Sequence, residues 1–332
     1  MSKTKKQHYV PQFYLRRFAD SGQRFYVFDK SQQKSYGANI KDVAGDSYFY
    51  DLSQDAINTL KEGAEKARAK DGANQSVIDQ SLQMLRETQI IETYLNPIET
   101  RSRLVLDKVL EGLEHRRRFK KEYRDDLATI MSFQFWRTME RRQQMLELES
   151  KAEEEVMKIV QRIDEVKGTK TTAEDLCIAF DATNTADRHK MNLINEELIE
   201  KTSQIFLGHI WHIGINQTTQ PFYTSDNPVA TSAHKTDDWR SNSGIASSGI
   251  EIAFPLSPEY ILILHERTYW ANVAHLDNRV TYLKPDNVTY FNCLQVYSSN
   301  RQVYSFTNNF DLADKMCREQ SEFTDPKRPR WT

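Results

Sequence analysis

Apolar positions follow two periods along this chain, and the change between them divides it. From Ser81 to Gln204 the spacing is helical; from Ile205 to Phe306 it is short, aromatic and β-branched, as strands are. Before both, Tyr14, Leu15 and Phe18 form one apolar helical face after Pro11, which suits a first helical turn. Arg24–Lys30, a turn over 31–35 and a short strand over Asp46–Tyr50 predict a β-hairpin region. Residues 53–79 are polar and read as a loose helix and a loop.

The helical part predicts Ser81–Tyr94, a break at Asn96-Pro97, and a second helix over Ile98–Leu113. Glu122–Val166 reads as one long helix, apolar in its first half and charged in its second, ended by Gly168. A narrow seam at Leu148, Val156, Ile159, Val160 and Ile163 makes residues 147–165 a candidate surface for a protein partner or self-association. Thr172 looks like an N-cap, and a further helix covers Lys190–Gln204. The strand part predicts strands over 206–215, 221–224, 250–258, 260–265 and 302–306, a polar loop over 232–249, and a helix over Asp286–Ser299.

The fold expected is α+β, a single domain over 1–332. A mostly antiparallel sheet from residues 205–323, completed by the hairpin within 1–52, is covered by a helical layer from 80–204 with one long charged helix. Residues 324–332, rich in Pro, Arg and Lys, are expected to fray.

Composition narrows the partners. Lys and Arg total 45 against 47 Asp and Glu, a net charge of -2, so no whole-protein field favours nucleic acid or membrane. Only the local run at 116–121, with Phe119 able to stack on a base, offers a nucleic-acid contact. Three dispersed cysteines, Cys177, Cys293 and Cys317, form neither a disulfide framework nor a zinc ribbon. The polar N-terminus is no secretory signal and no window suits a membrane helix, so a cytoplasmic protein is expected. Phosphate-loop, dinucleotide-binding, HExxH and GxSxG signatures are missing.

The chemistry centres on Ser225-Asp226-Asn227-Pro228, a carboxylate on a rigid turn at a strand end. His8 beside Asp226, with Glu251 or Glu99 near, would make a base or a Mg²⁺ or Mn²⁺ site, and Arg137 a phosphate clamp. Catalytic His8, Asp226 and Glu251, with metal on Asp226 and His8, would describe a metal-dependent nuclease or phosphoester hydrolase. Substrate contacts would come from Arg137, Gln134, Asn227 and Ser225. Glu251-Ile-Ala lacks the lysine that restriction-type nucleases carry, which weakens that version. An architectural reading uses the same residues: Asp226 and Asn227 cap a turn, His8 bonds a backbone carbonyl, and Arg137 pairs with Asp226. On that reading the protein is a non-enzymatic sensing or interaction module. His209, His212 and His234 read as structural.

His8-Tyr-Val-Pro-Gln-Phe-Tyr-Leu-Arg-Arg-Phe18 and Phe222-Tyr-Thr-Ser-Asp-Asn-Pro-Val229 resemble an uncharacterised bacterial family, domain of unknown function 4238. Phe133–Thr138 and Asn292–Gln295 look like two further blocks of it. The resemblance implies a polar set of His8, Gln134, Arg137, Ser225, Asp226 and Asn227, and no established activity. It also implies a setting among mobile-element or phage-defence genes, as for a phage-defence effector.

Overall fold

The structure, a computed structural model, describes residues 4–70, 74–85, 89–116, 119–172, 181–235 and 243–330. It opens on strand β1 (Lys6–His8) and a short helix α1 (Gln12–Leu15), followed by the hairpin β2 (Arg24–Asp29) and β3 (Lys34–Asn39) and by β4 (Gly45–Ser47). The helical layer follows as α2 to α8 in sequence: α2 (Gln54–Arg68), α3 (Gln75–Met84), α4 (Ile90–Arg116), α5 (Arg124–Trp136), α6 (Met139–Lys167), α7 (Ala182–Met191) and α8 (Glu196–Leu207).

Strands follow: β5 (Ile210–Ile215), β6 (Thr224–Ser225), β7 (Ala230–Ala233), β8 (Ile250–Pro255), β9 (Tyr260–His265) and β10 (Arg279–Tyr282). Helix α9 (Pro285–Ser298), β11 (Gln302–Ser305) and α10 (Asp311–Glu319) close the chain. The class is α+β, as the periodicity predicts.

The strands form two main sheets where one was expected. A five-stranded sheet runs β10-β5-β9-β8-β7, antiparallel except for the β10–β5 pair, and a four-stranded antiparallel sheet runs β3-β2-β11-β6. The N-terminal hairpin therefore belongs to the second sheet and does not extend the first. β1 and β4 make a separate pair.

The five-stranded sheet is covered on both faces, which is why β5, β8 and β9 read as near-continuous apolar runs rather than clean alternations. Trp211, Ile213, Ile252, Phe254, Leu262 and Leu264 share a core with Leu106, Val109, Leu127 and Met131 of α4 and α5. Ala253, Ile261 and Ile263 pack on Val288, Phe291 and Leu294 of α9.

Several local expectations give way to packing. Asn96-Pro97 does not end a helix: α4 runs through Pro97. Pro97 and Thr93, whose carbonyl loses its partner, are both exposed, so water serves that carbonyl while buried Ile91, Leu95, Leu106 and Leu113 hold the helix. Glu122–Val166 is two helices, parted at Arg137-Thr138, where the Thr138 hydroxyl accepts from Arg141 N–H at 3.3 Å and donates to Asn227 Oδ1 at 3.1 Å.

Gly168 does end α6, at φ 66°. Phe206 and Leu207 finish α8, and Gly208 caps it, rather than beginning a strand. The N-cap expected at Thr172 would open onto residues outside the described ones. Residues 324–330 are docked rather than frayed: Arg328 donates to the carbonyls of Ser299 and Asn300, and Arg330 lies 3.1 Å from Glu140. Among the described residues no helix is long and apolar enough to cross a membrane.

The chain leaves one main sheet at Ser225 and enters the other at Ala230, with only four residues between. Asp226 sits in that crossover, 1% exposed. Its Oδ1 accepts from the Asn300 N–H, and its Oδ2 from the Arg301 and Gln302 N–H groups, each at 2.8 Å. Burial pushes this carboxyl up from the ordinary range, and the backbone donors with nearby Lys30 pull it back.

Replacing Asp226 by Ala would leave buried N–H groups unpaired. The expected loss is on the order of 3–5 kcal/mol in urea unfolding. A loss below about 1 kcal/mol would show that the loop holds itself.

Candidate functional site

His8 is positioned through both its ring and its main chain. β1 lies against β4 with His8 opposite Gly45, where a Cβ would stand 2.9 Å from the Gln7 carbonyl, so only glycine allows this approach. The ring Nε2 is 3.2 Å from the Lys41 carbonyl and must carry the proton to make that bond. Nδ1 is then a lone pair, met only by the Gln12 amide at a long 3.4 Å. The His8 carbonyl accepts from Arg137 Nη2 at 2.7 Å and from the Tyr50 hydroxyl at 3.3 Å.

Arg137, 3% exposed, also reaches Glu99 at 2.8 Å and donates through Nε to Tyr50 at 3.1 Å. Burial alone would weaken its proton; Tyr50 and Glu99 more than offset that and hold it above the usual arginine range.

A cavity of about 500 Å³ opens beside His8, lined by Gln12, Phe13 and Arg16 on one wall and by α4 on the other. The α4 wall is a single stripe: Glu92, Asn96, Glu99 and Arg103 recur at helical spacing, with Thr100 alongside. Burial, and then the neighbouring Glu99, push the Glu92 carboxyl up. Burial lowers the His8 imidazole, only partly offset by its bond to Lys41, with Lys6 and Arg137 adding to the lowering.

The predicted site residues thus fall into three places. His8 lines the cavity, and Arg137 holds it from behind with Glu99. Gln134 donates to the Tyr9 carbonyl at 3.2 Å, beneath the same region. Asp226, Ser225 and Asn227 belong to the crossover. Ser225 Oγ donates to Gln295 Oε1 at 2.9 Å, and Asn227 Nδ2 to the Ser298 carbonyl at 2.9 Å, so these side chains weld the turn to α9.

No hydrogen bond joins His8 to Asp226, and the expected Arg137–Asp226 pair is replaced by Arg137–Glu99. Among the described residues no three His, Cys, Asp or Glu groups are arranged to hold a metal ion; the His8 ring bonds the Lys41 carbonyl and the Asp226 carboxylate bonds the 300–302 N–H groups.

Glu251 has its own surroundings on the α9 face of the five-stranded sheet. It accepts from His234 at 2.8 Å, His265 at 3.1 Å and the Tyr290 hydroxyl at 2.7 Å, with the Trp270 ring 4.9 Å from both imidazoles. Burial would raise its carboxyl; the bonds from His265, Tyr290 and His234 win and lower it. His234, read from sequence as structural, is part of this cluster. His209 donates to the Ile205 carbonyl at 2.7 Å, as a structural histidine would.

Phe119 is 8% exposed and stacks on Trp211, so it is not free to stack on a base; Arg117 and Arg118 lie outside the described residues. Glu92 was missed because a helix broken at Asn96 puts it on a different element from Glu99. Tyr50, His265 and Tyr290 carried no signal of their own.

The sequence profile of a family described as "Protein of unknown function (DUF4238)" matches residues 6–309. The chain belongs to the DUF4238 family. No curated protein and no solved structure matches it. In this DUF4238 member the polar set implied by the resemblance divides between a cavity wall and a structural joint.

Burial lowers two histidines far enough to govern acid stability: His212 to about 4, and His189 to about 3 with Arg142 adding to the effect. Both stay neutral in the fold while the unfolded chain protonates them below its value near 6.5. The unfolded state therefore binds more protons, and stability falls as pH drops from about 6.5 toward 4, by roughly 1.4 kcal/mol per histidine per unit. Urea unfolding at pH 7 and pH 5 should show this slope, and His212→Gln should remove its share and leave that of His189; a stability independent of pH over that range would contradict it.

Proposed function

We propose that the protein is a hydrolase that acts by general acid–base catalysis on a phosphate-bearing substrate in the His8 cavity. The observation that carries this reading is the state of His8. Its Nε2–H is spent on a carbonyl, its main chain is clamped by Arg137 and Tyr50, and the residue lines the cavity with Nδ1 met by the Gln12 amide at a long 3.4 Å. A base fixed in one tautomer and held from behind is what proton abstraction from water requires.

Glu92 retains its proton to higher pH than an ordinary glutamate, so it serves as the acid for the leaving group. Glu99, seven residues on, is tied to Arg137. Two carboxylates in unlike surroundings are the arrangement that separates acid from base roles. Water attacks while His8 Nδ1 takes its proton, and Glu92 gives its proton to the departing atom. The cavity volume suits a small molecule.

Phosphoester hydrolysis, including nuclease action, is the version closest to the sequence reading. The Mg²⁺ or Mn²⁺ centre on His8 and Asp226 is not carried into it, because their side chains serve separate bonds. Glu251 has no part in it. A phage-defence setting rests on the resemblance and adds no residue. A sensing module remains a second reading, favoured by the exposed apolar positions Leu148, Ile159, Ile163 and Val166 on α6, which suit a protein partner.

The mechanism needs His8 neutral and Glu92 protonated. Burial holds His8 below its ordinary 6.5, and burial with Glu99 holds Glu92 above its ordinary 4.5. The rate should therefore rise as His8 loses its proton and fall as Glu92 loses its own, and each substitution should remove its own limb of the profile. His8→Gln and Glu92→Gln should each lower kcat by roughly 10²–10⁴-fold with the melting temperature unchanged. Turnover of phosphate-bearing substrates that ignores both substitutions would sink this reading.

A further inference from the structure

Helix α6 takes no part in the His8 cavity. Among the described residues α7 meets it up to Glu149, which pairs with Arg188 and bonds the Thr185 hydroxyl. From there α6 runs on to Lys167, about five more turns. Leu148, Ala152, Ile159, Ile163 and Val166 fall on one solvent-exposed face, with half-buried Val156 at its edge. Ile159 is 55% exposed and Val166 88%, so this face is not closed by the rest of the fold. β-branched residues lose side-chain freedom in a helix. Val156, Ile159, Ile163 and Val166 therefore weaken α6 unless something packs on them. Ala152, Ile159 and Val166 recur every seven residues, and Val156 and Ile163 do the same between them. That alternation of three and four is the spacing by which two helices pack side by side.

The charges beside the stripe decide its occupant. Glu155 and Arg162 flank it on one side, and Val160 and Lys167 on the other. Glu155 now pairs with Lys158 of the same helix, an exposed contact of little strength. A two-fold axis beside Ile159 lays a second α6 against the first, running the opposite way. Ala152 of each copy then meets Val166 of the other, and Val156 meets Ile163. Glu155 of each copy lies level with Arg162 of the other, on the same side, and the pair forms twice. Parallel helices would instead set Arg162 against Lys167. The stripe is thus complementary to itself in one orientation, by size where small Ala152 meets Val166 and by charge at Glu155 and Arg162.

We propose that the outer half of α6 is a self-association surface, and that two copies of this chain join through it as an antiparallel helix pair. The pairing uses no residue of the His8 cavity. From Leu148 to Val166 the stripe spans roughly 27 Å, a small interface, so the dimer is weak, with Kd on the order of 1–100 μM.

The test is sedimentation equilibrium of the full-length protein over concentrations that bracket this range. The mass is expected to rise from one chain to two. A mass of one chain throughout overturns the proposal and leaves the stripe to a different protein. Ile159→Lys brings two ammonium groups together at the axis and should raise Kd about tenfold or more. Its melting temperature in dilute solution should hold, because the position is exposed. A dimer that ignores this substitution forms elsewhere and overturns the proposal. Arg162→Glu reads the orientation. In the antiparallel pair it sets carboxylates against each other and weakens the dimer, and adding Glu155→Arg restores it. In a parallel pair Arg162→Glu would face Lys167 and strengthen the dimer, a result that overturns the antiparallel arrangement.

Discussion

A single buried carboxylate joining three consecutive backbone N–H groups ties the crossover between the two main sheets of this protein to the loop that leads into β11. Asp226 stands in a crossover of four residues, and the loop it caps leads directly into β11, the strand that pairs with both β6 and β2. The same loop is gripped from the other side by Lys30, fully buried, which donates to the carbonyls of Val296 and Ser299 at the end of α9. Burial first, and then Arg328, lower that lysine to about 8. Tyr14 completes the joint. Its hydroxyl donates to the Pro255 carbonyl in one sheet and accepts from Thr224 in the other, while its ring stacks on Phe254. Charges at such depth are stable only when their lone pairs and protons are all used.

The joint also sets the cavity. Asn227 reaches Thr138, the residue where α5 ends and α6 begins. Arg137, one residue earlier, extends to the His8 carbonyl, Tyr50 and Glu99. The base and the carboxylate stripe are thereby fixed by one guanidinium that is itself fixed by the helix break. Pre-organisation of this sort lets a loosely built N-terminal segment, a three-residue strand and a four-residue helix, hold a side chain for chemistry.

Much of the fold was legible. Gly168, the β8–β9 pair, α9 and the hairpin all lie where period and turn residues put them. What failed were positions where tertiary packing overrode a local signal. Pro97 reads as a helix end but sits on a solvent face of a helix anchored by buried leucines. Arg328 and Arg330 read as a frayed tail but find Glu140 and the 299–300 carbonyls. For the site, His8 and the Ser-Asp-Asn-Pro corner stand out in the sequence by their neighbours, yet nothing in a linear chain tells a carboxylate that reacts from one that caps. That difference is made by residues 74 to 76 positions away. Glu92 needed the unbroken α4 to be seen.

Amide hydrogen exchange at Asn300, Arg301 and Gln302 tests the central claim most directly. With Asp226 holding all three N–H groups in a dry joint, they should exchange only with global unfolding, as slowly as the slowest amides of β8 and β9. Exchange of these three on the time scale of exposed loops would contradict it, and would return Asp226 to the pool of side chains free for another role.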